Sequence, residues 1–149
     1  MNRKTRRFTA ILVILCLTAP GLVGAQGETE VAGRLNTGYG LLEQGKFDQA
    51  QKFFEEVLRQ DPGHPLALNN LAAILVKQGK LDQALASLKR ALPRAQGFKV
   101  SLNRVCNVDG VCAARRLGED QFGTEDLERV VKSNILMVGM AQASRPGKK

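Results

Sequence analysis

The sequence predicts an all-α protein: two stacked helical hairpins, then a short cysteine hairpin, then a closing helix. Three observations carry this. The heptad Gln44-Gly45-Lys46-Phe47-Asp48-Gln49-Ala50 returns 34 residues later as Gln78-Gly79-Lys80-Leu81-Asp82-Gln83-Ala84, with one substitution. Apolar residues around both copies recur at helical spacing. After the second copy that periodicity stops, and a pair of cysteines stands in its place.

The chain has 149 residues, enough for one small domain. Residues 1–25 have the three-part layout of a secretory signal peptide. Arg3, Lys4, Arg6 and Arg7 form a basic start, Phe8 to Thr18 is almost wholly apolar, and Val23-Gly24-Ala25 offers a small-residue cleavage site beyond the helix-breaking Pro20-Gly21. The apolar run is well short of the roughly 20 residues a bilayer span needs. Cleavage near Ala25 leaves no stable transmembrane span, and a periplasmic or secreted protein is expected; an uncleaved anchor is the alternative. Cys16 fills the apolar run, because Val13-Ile14-Leu15 is too bulky for lipoprotein processing.

The formal net charge is +8, and four of those charges lie in residues 1–25. Arg145, Lys148 and Lys149 lie in a Gly/Pro-containing tail, residues 143–149, expected to be disordered. The remainder is nearly neutral, so no nucleic-acid surface is expected.

Similarity at a period near 34 residues is the mark of stacked helical hairpins. Residues 31–64 align with 65–98 without gaps, with ten identities in 34 positions. Gly45 and Gly79 fall where a left-handed residue would end a first helix. Asp48 and Asp82 then stand at the start of the second, where a carboxylate meets free N–H groups and the positive end of the dipole. In the first unit Ala50, Phe53, Phe54, Val57 and Leu58 make one apolar stripe; Ala84, Leu85, Leu88, Ala91 and Leu92 repeat it. Pro65 opens a helix carrying Leu68, Leu71, Ala72 and Leu75. Asp61-Pro62-Gly63 is the turn between units.

These residues resemble the tetratricopeptide repeat family. Its pattern of small, apolar, alanine, aromatic, apolar and proline positions is met by Gly38, Leu41, Ala50, Phe54, Val57 and Pro62 in the first unit. Ala72, Leu75, Ala84, Leu88 and Ala91 meet it in the second, with Gln96 in place of the proline. The aromatic common at the fourth position is replaced by Arg34 and Leu68. The small residues let paired helices approach, Gly38 against Ala50 and Ala72 against Ala84.

Pro93 is expected to end the fourth helix near Leu92, and Cys106, Asp109 and Gly110 make a poor third repeat. Residues 99–123 are instead expected to form a cysteine-containing loop. Val105 to Cys112 places β-branched residues about Asp109-Gly110, a hairpin signal. A three-residue loop, Val108-Asp109-Gly110, would set Asn107 opposite Val111 and Cys106 opposite Cys112. The cysteines would then form a non-hydrogen-bonded pair with Cα atoms about 4.5 Å apart, close enough for a disulfide contributing about 2–3 kcal/mol. Calcium and metal ligation are not expected: Arg116 stands where an acidic ligand would be, and two cysteines with the distant His64 are too few for zinc. A redox-active pair is the other reading, although the spacing is not C-x-x-C. Leu117 to Gly123 reads as a loop. Thr124 is a candidate cap for a closing helix over residues 124–142, with Leu127, Val130, Val131, Ile135 and Val138 on its apolar face. A two-unit array needs such a cap.

The resemblance implies a concave face lined by the first helix of each hairpin: Ala32, Leu35, Tyr39 and Leu42, then Leu66, Asn69, Ala73 and Val76. It implies a protein or peptide partner there, with Tyr39 as anchor and Asn69 holding a peptide backbone. These residues could instead pack beneath the closing helix or against a second copy of the chain. No catalytic constellation, phosphate loop or cofactor motif is present, and His64, in a turn, is expected to face solvent. The expected function is an exported interaction module, an adaptor or scaffold in an envelope assembly such as secretion, pilus or cell-wall machinery. A thiol–disulfide factor using Cys106 and Cys112 is the alternative.

Overall fold

The computed structural model describes residues 22–101, 106–116 and 125–145. The basic start and apolar run of the expected signal peptide, the loop over Leu117–Gly123 and the last four residues of the tail lie outside the described residues.

Helices α1 (Leu22–Glu43) and α2 (Phe47–Gln60) form the first hairpin, and α3 (Pro65–Lys77) and α4 (Leu81–Ala95) the second. α1 packs on α2, α2 on α3, and α3 on α4. The duplicated heptad explains the identical joints. Gly45 and Gly79 take φ of 71° and 73°. The N–H of Gly45 donates to Leu42 O and that of Lys46 to Leu41 O; in the second hairpin Gly79 donates to Val76 O and Lys80 to Leu75 O. This double bond pattern closes a helix whose terminal residue is left-handed, and only glycine takes that conformation without strain. Asp48 and Asp82 lie in the first turns of α2 and α4, where they oppose the dipole.

Between the paired helices Ala50, Phe54 and Val57 are buried, as are their equivalents Ala84, Leu88 and Ala91. Each large side chain removed from water contributes about 1.5–3 kcal/mol. The close approach expected at Gly38 exists, but its nearest contacts are with Phe54 and Phe53. A Cβ on Gly38 would stand 2.9 Å from the Phe54 ring.

The turn between hairpins is held by charge. Asp61 accepts from the Gly63 N–H at 3.1 Å and from Arg94 Nη1 at 2.5 Å. The Arg94 guanidinium holds the Asp61 carboxyl below its ordinary value, against a smaller opposing effect of burial. His64 does not face solvent as expected. It is half-buried as the N-cap of α3, its Nδ1 accepts from Ala67 N–H at 3.3 Å, and its ring meets Phe98 edge-on.

α4 runs past its expected end at Leu92, through Pro93 to Ala95. A proline in the last turn removes only one helical donor, and Lys89, whose carbonyl it would have met, is exposed to water. The extra turn brings Arg94 to Asp61 and buries Ala95.

The expected loop over residues 99–123 contains strand. β1 (Lys99–Ser101) pairs antiparallel with β4 (Arg115–Arg116) on one side and β5 (Glu125–Asp126) on the other. β2 (Cys106–Val108) and β3 (Val111–Cys112) form the cysteine hairpin. Cys106 stands opposite Cys112, but Val108, not Asn107, stands opposite Val111. The turn has two residues, Asp109 and Gly110, both at positive φ (50° and 87°), and the register shift falls between Cys106 and Val108. Two left-handed residues match the twist of a tight hairpin, and the extra residue becomes a bulge. The Cys106 side chain lies outside the described residues, so the disulfide remains a proposal.

The closing helix α5 (Leu127–Ala143) lies along α4. Its N-cap is Asp126 rather than the expected Thr124: Asp126 accepts from Glu128 N–H at 3.0 Å and from Gly97 N–H at 3.3 Å. These bonds, that to Glu128 first, together with Lys99, hold its carboxyl below the ordinary range. Leu127, Val130, Val131 and Val138 face the core as the periodicity predicts, and Ile135 is partly buried against it.

Candidate partner-binding face

The face expected to receive a partner is built by α1 and α3. Leu35, Tyr39 and Leu42 project from α1, and Leu66, Asn69, Ala73 and Val76 from α3, because a spacing of three and four residues keeps them on one side of a helix. The structure brings all seven to one face, but it is not an open groove. Tyr39 is 2 % exposed, Asn69 is wholly buried, and the other five are buried with them; Ala32 is half-buried at the margin. The expectation of an accessible groove is thus corrected.

The cover is the chain's own segment 106–116, with α5 behind it. β2 and β3 lie against α3, β4 lies against α1, and α5 touches both α3 and β3. Val111, Ala113 and Ala114 are buried in the same core as Tyr39 and Leu66. Periodicity could not reveal this, because it shows which face is apolar and not what covers it.

Asn69, expected to hold a partner's peptide backbone, holds backbone of its own chain instead. Its Nδ2 donates to Cys112 O at 3.0 Å. Two asparagines that sequence reasoning missed complete the clamp. Asn70 Nδ2 donates to Ala114 O, and Asn70 Oδ1 accepts from Ala114 N–H, both at 2.8 Å. Asn134 does the same for Cys112: Nδ2 donates to its carbonyl and Oδ1 accepts from its N–H, again at 2.8 Å. The amides are tied together, Asn134 Nδ2 donating to Asn69 Oδ1 and Asn69 Nδ2 to Asn70 Oδ1. Asn70 and Asn134 are as deeply buried as Asn69.

Physical necessity explains the clamp. A buried backbone N–H or C=O must find a partner, and Ala113-Ala114 joins β3 to β4 outside either sheet. Carboxamides on α3 and α5 supply the donor and acceptor that a neighbouring strand would. Asn134 had a sequence signal, as the one polar side chain within the stripe Val130, Val131, Asn134, Val138. Asn70 had none beyond adjacency to Asn69.

Cys112 is half-buried beside a shallow cavity of about 230 Å³, shared with Glu125, Arg129, Val130 and Ser133. Arg129 is paired with Glu125 at 3.5 Å. Among the described residues no group of three His, Cys, Asp or Glu side chains could hold a metal ion. No described helix is long and apolar enough to cross a membrane.

Residues 41–100 match the family model described as tetratricopeptide repeat. That span begins in the last turn of α1, includes α2, α3 and α4, and ends in β1. Neither a curated protein nor a solved structure matches the chain.

Proposed function

We propose that this chain, which matches the tetratricopeptide repeat model over residues 41–100, works as an exported adaptor or scaffold, joining protein partners within an envelope-associated assembly such as secretion, pilus or cell-wall machinery. The repeat array carries the reading, because stacked hairpins are a rigid support for protein contacts. The basic and apolar start of the sequence supports export. Because segment 106–116 already fills the concave face, the partner is met on the outer surfaces of the array.

Affinity capture by the processed protein from its own envelope fraction tests the role. A discrete partner retained in constant ratio supports it. Recovery of only what an unrelated exported helical protein retains would overturn it. Cell fractionation with N-terminal sequencing tests export, with cleavage expected after Ala25.

A second reading, a thiol–disulfide factor, draws on the Cys106–Cys112 register and the cavity beside Cys112. A structural disulfide has a reduction potential below about −300 mV and an exchanging one lies higher. The asparagines gripping Cys112 favour the structural role.

A further inference from the structure

We infer that the joint between α1 and α2 is a docking site for an arginine-bearing segment of a protein partner, through the contact that the end of α5 already makes at the joint between α3 and α4. The inference rests on the adaptor reading and names one outer surface for it. The two joints share one backbone. Lys46 has φ and ψ of −85° and 63°, and Lys80 of −88° and 60°; the glycines before them have φ of 71° and 73°. The carbonyls of Gly45 and Gly79 therefore point alike, and Asp48 and Asp82 follow them at the same interval.

At the second joint both acceptors hold donors. Arg145 Nη2 donates to Gly79 O at 3.0 Å, and Gln142 Nε2 donates to Asp82 Oδ1 at 2.6 Å. At the first joint the same acceptors border a shallow cavity of about 240 Å³, lined by Gly45 to Gln49, and Asp48 is exposed. A Cβ on Gly79 would meet Arg145 Nη2 at 3.6 Å, whereas one on Gly45 would meet no described atom within 4 Å. α3 packs on α2 as α5 packs on α4. It has 13 residues against 17 for α5, and no described donor from it meets Asp48 or Gly45 O.

Charge favours a cation at the first joint. Where Lys77 stands in the last turn of α3, the exposed Glu43 ends α1, and a carboxylate there adds to the negative end of the dipole. Lys46 does not exclude a second cation, because Lys80 holds the equivalent place beside Arg145. A guanidinium suits the site better than an ammonium, since its planar fork can give one N–H to a carbonyl and another to a carboxylate. A metal ion fits less well: among the described residues no three acidic, cysteine or histidine side chains converge.

The test is a titration of the isotope-labelled, processed protein with a capped peptide of residues 139–145, Gly139 to Arg145, to about 5 mM, a range that reaches weak affinities. Amide shifts should saturate at Gln44 to Gln49 and leave Gly79 to Gln83, already occupied, in place. Asp48→Asn or Glu43→Gln in the protein should each weaken binding about threefold or more, and so should Arg145→Lys in the peptide. Circular dichroism should be unchanged, since both carboxylates are exposed. Absence of shifts at the highest concentration, or an affinity that these changes leave intact, would overturn the inference. So would shifts at the first joint that follow the protein's own concentration without peptide, which would make the occupant a second copy of the chain. The peptide comes from this chain, so its failure to bind strikes this site alone, whereas an empty capture from the envelope fraction strikes the adaptor role.

Discussion

Asn70 is the residue on which the filled concave face most directly depends. Its carboxamide satisfies both backbone groups of Ala114, and a buried polar group left without its partner costs about 1–3 kcal/mol. Asn70→Ala is therefore expected to lower stability by about 3 kcal/mol in urea unfolding; a change under about 0.5 kcal/mol would mean that water replaces the amide. Tyr39→Ala is expected to behave as a core deletion, costing about 3–5 kcal/mol, because Tyr39 is buried between the array and its cover. A stable Tyr39→Ala protein with normal cooperativity would return Tyr39 to the status of a surface anchor. At Gly38 two effects oppose. Alanine is the better helix former by about 1 kcal/mol, but its methyl would stand 2.9 Å from the Phe54 ring. Overpacking of this kind costs about 1–3 kcal/mol, so Gly38→Ala should lower the melting temperature.

α3 and α5 start on different side-chain caps, His64 and Asp126, and the cap of α5 ties part of the acid stability to its carboxylate. Asp126 caps α5, also accepts from Gly97, and has its carboxyl held below the ordinary value. A depressed folded-state value contributes stability that is present above the unfolded value, near 3.8, and is lost as pH falls through the folded value. Asp126→Ala should therefore melt below wild type at pH 7, and the gap should close as pH is lowered beneath about 4 toward 2. A gap that persists at pH 2 would place the contribution in packing instead of charge. The start of α5 was misread as Thr124 because two acceptable capping residues stand two positions apart. The choice fell to tertiary contact, since Asp126 also reaches Lys99 and Gly97 across the chain.

Across the whole molecule, the repeat is completed by segments that are not repeats. α5 packs on α4, where a third hairpin would stack, while segment 106–116 fills the concave face and is held there by the asparagine clamp. The backbone register of β2 and β3 places Cys106 against Cys112, and protein kept in an oxidising compartment is expected to carry a disulfide there. Intact mass with and without reductant should differ by two hydrogens; equal masses, with two thiols that react with maleimide, would remove the disulfide. With the bond present, Cys106→Ser, Cys112→Ser should lose about 2–3 kcal/mol of stability.

The sequence by itself determined the repeat: the duplicated heptad encodes two left-handed glycines and two first-turn aspartates, and these act through local backbone geometry and the helix dipole. It determined the apolar stripes and the cysteine hairpin as well, since these follow from short-range periodicity and turn residues, whereas the two-residue turn and the bulge behind it were decided by the structure. Only the tertiary structure decided that α4 runs through Pro93, that His64 caps α3, and that Leu35, Tyr39 and Asn69 are interior. Those outcomes depend on what lies across from a residue. A stripe of apolar side chains is the same string of letters whether a partner or the chain itself covers it. Here the backbone groups of Cys112 and Ala114 found their partners in Asn69, Asn70 and Asn134, residues 22 to 44 positions away.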